Sequence, residues 1–347
     1  MIQRTHFVEN GEGWALALKQ SYCPKTLSAK RRPVAIIPGY GMNAFIFGYH
    51  PTGRSMEEYW AQIGFEVWSI NLRAQGGSKR RGGRLSYGFS EVAVNDVRCA
   101  FDYIIKHSET KADRVDAVGC SLGGTYLFVH LACVRETNRL GSVVAIGAPL
   151  RWSDVHPALR LISSSPWLLG NIHLRGARQL ARIGLPLLER VPKILNIYLH
   201  PDIVDTSKIG TLVQTIENPN PVLNRQIAEW IKAKDLFVDG INITHGLSAA
   251  QNPLLVVLSN ADGIVPEAAA LSARNVIGSR VKEVLRVGTD AVPVAHADLF
   301  ISDYAQAWVF EPLGQWLIRQ NAPLRKTRTT KKKPPTRATK GQKGGLL

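Results

Sequence analysis

The chain has 347 residues, 45% of them hydrophobic and 20% charged, a balance that supports a large buried core. No apolar run approaches the roughly 18–20 residues that cross a bilayer. The first residues lack the apolar stretch of a secretory signal, and Cys23, Cys99, Cys120 and Cys133 show neither a CxxC nor a metal-type spacing. These features exclude a membrane-spanning protein, a disulfide scaffold and a zinc module, and they predict a cytoplasmic protein with buried thiols.

The formal net charge of +16 points towards nucleic acid until it is divided along the chain. Nine cations and no acid lie between Arg325 and Lys343, leaving +7 for everything else. Residues 323–347, almost without apolar content, read as a disordered basic tail. The tail is either a solubilising end or a tether to nucleic acid or an anionic surface, and salt-sensitive binding distinguishes the two.

From the N-terminus, Phe7-Val8 and Trp14 to Leu18 flank a glycine-bearing turn and predict a hairpin. Pro33 to Ile37 is a compact strand, apolar on both faces, that belongs inside a covered sheet. It runs into Pro38-Gly39-Tyr40-Gly41-Met42-Asn43, a glycine-rich loop able to present backbone N–H groups. A helix over 55–63 and a strand over 65–72 follow. The basic, glycine-rich stretch Arg73 to Arg84 lacks Walker spacing and reads as a solvated loop. A helix is expected over Val92–Ile105, and strands over 115–119 and 142–146. Strands and helices alternating at this rhythm give an α/β fold, a mostly parallel central sheet with helices on both faces.

The rhythm breaks between about Leu150 and Ala250, where seven prolines punctuate apolar helical pieces and no convincing strand appears. Residues 151–249 are therefore expected to form an inserted helical cap between a first core segment, 1–150, and a second, 250–322. Between His156 and His200 the basic residues are Arg160, Arg175, Arg178, Arg182, Arg190 and Lys193, with Glu189 the only acid. That face is either ordinary solvated surface or a lid that meets an amphiphilic substrate or lipid surface. The sheet resumes at Pro253–Leu258, followed by a helix over 267–276, a strand over 281–287 and a final helix towards Ile318.

The chemistry centres on Val118-Gly119-Cys120-Ser121-Leu122-Gly123-Gly124. A strand, a sharp turn carrying a lone hydroxyl and a buried helix form the setting of a nucleophilic serine, with small residues relieving crowding around it. A structural turn is the alternative. On the first reading the Leu122 and Tyr40 N–H groups would hold the oxyanion. A serine hydroxyl needs a base, and that base needs a fixed tautomer. His296, after the last strand, is the best base and Asp262, after Leu258, the best orienting acid, with Asp154 in reserve. Asp298 reads as a cap of the final helix.

These residues resemble the α/β-hydrolase superfamily over roughly residues 5–320. Pro38 to Phe47 and Asp262-Gly263-Ile264-Val265-Pro266 are similar to the polyhydroxyalkanoate synthase-related, lipase-like branch, although those synthases carry cysteine where this chain has Ser121. The serine and the setting of His296, Ala295-His296-Ala297-Asp298, depart from the synthases. They favour a carboxylic-ester hydrolase acting on an acyl or lipid-like ester, with no metal or organic cofactor. Acyl transfer to another acceptor and a non-catalytic binding role with a working tail are the alternatives.

Overall fold

The computed structural model describes residues 1–152, 176–188 and 195–321. Nine strands form the main sheet, eight of them in the order β1 (Ile2–Glu9), β2 (Trp14–Tyr22), β4 (Val67–Asn71), β3 (Val34–Ile37), β6 (Val115–Cys120), β7 (Leu140–Ile146), β10 (Leu254–Ser259) and β11 (Lys282–Val287), and a short ninth pairing with β2 off this path. The β1–β2 and β2–β4 pairs are antiparallel, and every later pair on this path is parallel. The expected hairpin and strands are all present, with β3 between β4 and β6.

The period of two along each central strand divides the core. Ala35 and Ile37 join one apolar cluster, with Phe101 of α2 (Val97–His107) and Leu127 of α3 (Leu122–Val134). Val34 and Ile36 join the other, with Trp60 of α1 (Met56–Gln62) and Trp316 of the C-terminal helix Glu311–Asn321. Helices therefore cover both faces, as continuous apolar strands require. The α1 helix begins with a capping box, Ser55 accepting from Glu58 N and Glu58 reaching back to the Ser55 N–H. The Pro221–Ala233 helix begins with proline beside an Asn220 cap that accepts from Val222 and Leu223 N–H.

Several expectations are corrected. Within 151–249 there is a small antiparallel hairpin, β8 (Phe237–Val238) with β9 (Ile241–Asn242), too short to carry a strand pattern. The helix expected from Val92 opens as a π-helical turn over Glu91–Asp96 before α2. Of the four cysteines only Cys120 is fully buried. The stretch from Arg73 is not wholly solvated, because β5 (Lys79–Arg80) pairs with β2 and Arg73 is buried. No described helix is long and apolar enough to cross a membrane.

Arg73 is buried because its charge is met. It donates to Asp96 through Nε at 2.8 Å and Nη2 at 2.7 Å, and Asn10 Nδ2 donates to the same carboxylate at 2.7 Å. This group ties the β1–β2 turn, the end of β4 and the start of the α2 segment. Asp96→Ala leaves the guanidinium buried without its main partner and is expected to cost about 3–5 kcal/mol in urea unfolding. Asp102→Ala, which removes an exposed 3.6 Å pair with Arg139, is expected to cost less than about 1 kcal/mol.

Candidate active site

Ser121 follows β6 directly and precedes α3, with φ 52° and ψ −124°. A non-glycine residue adopts these angles only where its surroundings impose them, at a cost of roughly 1–3 kcal/mol. The Ser121 N–H donates to Ile146 O of β7 at 2.8 Å, and its carbonyl accepts from Gly124 N at 3.0 Å. The tight return of α3 leaves no room for side chains beside it. A Cβ on Gly119 would lie 2.4 Å from Gly124 N, and one on Gly123 would lie 2.4 Å from Ile37 O. The neighbouring Cys120 faces the other way, packed in the cluster of Val118 and Ile146. Burial pushes its thiol well above the ordinary range, which makes it a poor nucleophile.

Asp262 and His296, one beyond β10 and the other beyond β11, meet through a 2.6 Å hydrogen bond from Nδ1 to Oδ2. The other Asp262 oxygen accepts from Ile264 and Val265 N–H, each at 2.8 Å, so the carboxylate is held by its own loop. Burial pulls the His296 pKa down, but the charge and hydrogen bond of Asp262, with Asp298 adding, outweigh it, and the net direction is upward. Because Nδ1–H faces a carboxylate, neutral His296 carries its lone pair on Nε2. A Cβ on Gly147, the residue after Ile146, would lie 2.9 Å from His296 Cε1 and 3.3 Å from Asp262 Oδ2. One short segment, Ile146-Gly147, thus touches the Ser121 turn on one side and the Asp–His pair on the other. No hydrogen bond joins Ser121 Oγ to His296.

The loop after β3 lies against the serine. A Cβ on Gly39 would lie 2.9 Å from Ser121 Cβ and 3.1 Å from Cys120 O. Leu122 opens α3, so its N–H has no intrahelical acceptor, and the Tyr40 N–H has no partner among the described residues. The Tyr40 side chain is anchored away from the serine. Its hydroxyl donates to Asn224 Oδ1 and accepts from Asn220 N at 2.8 Å. Residues 41–43 also pair with residues 215–217, Glu217 N donating to Gly41 O at 2.8 Å and Asn43 N to Thr215 O at 2.8 Å. The Glu217 carboxylate then joins three segments, accepting from Asn43 Nδ2 at 2.5 Å, Gly76 N at 2.9 Å and Arg178 Nη2 at 3.1 Å.

Sequence reasoning misplaced Asp298. It begins the short helix Asp298–Ile301 but does not cap it. Its carboxylate accepts instead from Ala295 N at 2.7 Å and from His200, through the backbone N at 3.1 Å and Nδ1 at 3.1 Å. Asp298 therefore fixes the turn that carries His296. The segment around Tyr198 lies over both loops of the pair, with Ala297 N donating to Tyr198 O at 2.8 Å and Gly263 N to Ile197 O at 3.2 Å. The Tyr198 ring stands 6.2 Å from that of His296. Asp298, two residues from the histidine, carried the one local signal for this support. The Asp154 reserve acid, Arg160, Arg175, Glu189, Arg190, Lys193 and the basic tail lie outside the described residues. Among the described residues no three His, Cys, Asp or Glu side chains stand close enough to hold a metal ion.

No protein-family model matches the sequence, and no protein of curated function matches it. Solved structures do match its fold. A soluble variant of monoglyceride lipase from Saccharomyces cerevisiae superimposes with a TM-score of 0.61 at 14% identity, covering 93% of this chain and 96% of the other. A thermophilic esterase from Thermogutta terrifontis gives 0.58 at 16% identity over 93% and 100%. An esterase from Rhodococcus sp. gives 0.59 at 14% identity over 92% and 99%. With the strand order, the strained serine turn and the acid and histidine after the last two strands of the sheet, these matches establish that the chain has the α/β-hydrolase fold.

Proposed function

We propose that the protein is a carboxylic-ester hydrolase that uses Ser121 as nucleophile, His296 as base and acid, and Asp262 as the orienting carboxylate. The observation that carries this reading is the Ser121 backbone at φ 52°, a strained turn that serves to present one hydroxyl. The esterases and the lipase that share its fold support the same chemistry.

In the proposed reaction Ser121 Oγ attacks the ester carbonyl carbon while His296 Nε2 takes the hydroxyl proton. The carbonyl π electrons move to oxygen, where the Tyr40 and Leu122 N–H groups receive the negative charge. Collapse breaks the bond to the alkoxy oxygen, which leaves with the proton from His296. Water then attacks the acyl-serine with His296 again as base, releasing the acid and restoring the hydroxyl. Asp262 stabilises the imidazolium formed in each half.

Residues 151–249 serve in this reading as a cap that sets the substrate's shape. The pairing of residues 215–217 with the Tyr40 loop supports a direct link between cap position and oxyanion geometry. An apolar or lipid-like acyl ester is the substrate class, and the basic cap face and tail are routes to a lipid or anionic surface.

The reading is tested with p-nitrophenyl esters of graded acyl length, on which Ser121→Ala is expected to lower kcat by about 10⁴–10⁶-fold. Equal turnover by the wild type and the variant would reject it. A second expectation follows from the upward shift of His296. The base works only when neutral, so kcat/KM should fall on acidification through an apparent pKa above the ordinary histidine value of about 6.5. Asp262→Asn should move that limb to lower pH and reduce kcat by about 10⁴-fold. An acid limb left in place in the variant would show that Asp262 does not act on His296.

A further inference from the structure

Beside the Tyr40 loop, between the segment after β4 and residues 217–223, lies a small recess with free space for about one ordered water. The Tyr40 side of its wall is one residue from Gly39, where an added Cβ would touch Ser121. Leu72, Val92 and Leu223 supply apolar wall, and most of the polar side chains are already engaged. Arg73 is held by Asp96, and Gln75 bonds Leu72 N at 2.9 Å and Gly39 O at 3.4 Å. Glu217 is held by Asn43 and Gly76, and the Tyr40 hydroxyl by Asn220 and Asn224.

Tyr126 differs. It stands in the first turns of α3, five residues after Ser121, with the residue only 1% exposed. Its ring is fixed edge-on against Phe89 at 5.9 Å. Its hydroxyl has no hydrogen-bond partner among the described residues, although the side chain lines the recess. A phenol that meets only water in such a recess can exchange that water for an oxygen of a bound molecule.

We propose that Tyr126 is a specificity-determining residue whose O–H donates to an oxygen carried by the substrate next to its reacting ester. The preferred substrates are then esters with an ether, hydroxyl or keto oxygen at one defined position of the chain, in place of plain alkyl esters. The inference rests on the ester-hydrolase reading and refines its substrate class. Only a small polar group fits the recess, so the rest of an acyl or alcohol chain lies outside it.

The test is an oxygen scan at constant length. On the acyl side, p-nitrophenyl hexanoate is compared with its 3-, 4- and 5-oxa analogues. On the alcohol side, butyl hexanoate is compared with 2-methoxyethyl hexanoate. Wild type and Tyr126→Phe are compared at equal active-site concentration, titrated with a fluorophosphonate, with thermal unfolding as the check on folding. One oxygenated ester is expected to exceed its all-carbon partner in wild-type kcat/KM by about three- to tenfold, the worth of one net hydrogen bond. In Tyr126→Phe that ratio is expected to fall to about one. A wild-type ratio of one throughout would overturn the proposal. So would a ratio that persists in a folded Tyr126→Phe, or a variant that loses thermal stability while its selectivity is unchanged, the signature of a purely structural water. Absence of turnover and of labelling in the wild type would instead overturn the hydrolase reading itself.

Discussion

The arrangement depends on one backbone conformation, the left-handed turn at Ser121. It costs free energy locally, and the surrounding packing offsets that cost. Gly119 and Gly123 allow α3 to fold back onto β6 and the end of β3, at separations a side chain would forbid. The hydrogen bond from Ser121 N to Ile146 O fastens the turn to the neighbouring strand. The same strand end continues into Gly147, against which His296 and Asp262 rest. The position of the serine and that of the Asp–His pair are therefore set by one element of a rigid sheet, the condition that preorganised catalysis places on a scaffold.

Around this rigid centre the structure uses long-range polar contacts to place its loops. Asp298 holds the His296 turn and accepts from His200, 98 residues earlier in the chain. Glu217 gathers the loop after β3, the loop after β4 and the helix carrying Arg178. Arg73 and Asp96 fasten the base of the second of these loops to the first hairpin through Asn10. Buried charges of this kind add little net stability over an apolar core, but breaking one of them is costly. Their evident effect here is to fix loop positions that apolar packing alone would leave loose.

The sheet was legible because its strands announce themselves. Val34–Ile37 and residues 254–258 are apolar on both faces, and Val115–Cys120 is so except at Asp116, and only a strand buried between helices fits that pattern. Ser121 and Asp262 follow such strands and His296 follows the more polar β11, so the proposed triad rests in the sequence on chain order, and in the structure on the meeting of Asp262 with His296. Two-residue strands such as β5 and β8 were not legible, since their pairing is decided by partners and not by local pattern. The burial of Arg73 was hidden because Asp96 lies 23 residues away and Asn10 further still. Asp298 was read as a helix cap from its local setting, whereas its partner His200 is brought to it only by tertiary folding. The Tyr126 recess was equally invisible, since it is formed by five separate stretches of chain.

The central claim, that Ser121 is an activated nucleophile, is tested most directly by trapping it. Intact protein is treated with a fluorophosphonate and the modified peptide is identified by mass spectrometry. The account predicts one adduct, on Ser121, whose rate of formation falls as His296 becomes protonated. An adduct on Cys120 or on another serine, or a Ser121 adduct formed at a rate indifferent to the protonation of His296, would contradict it.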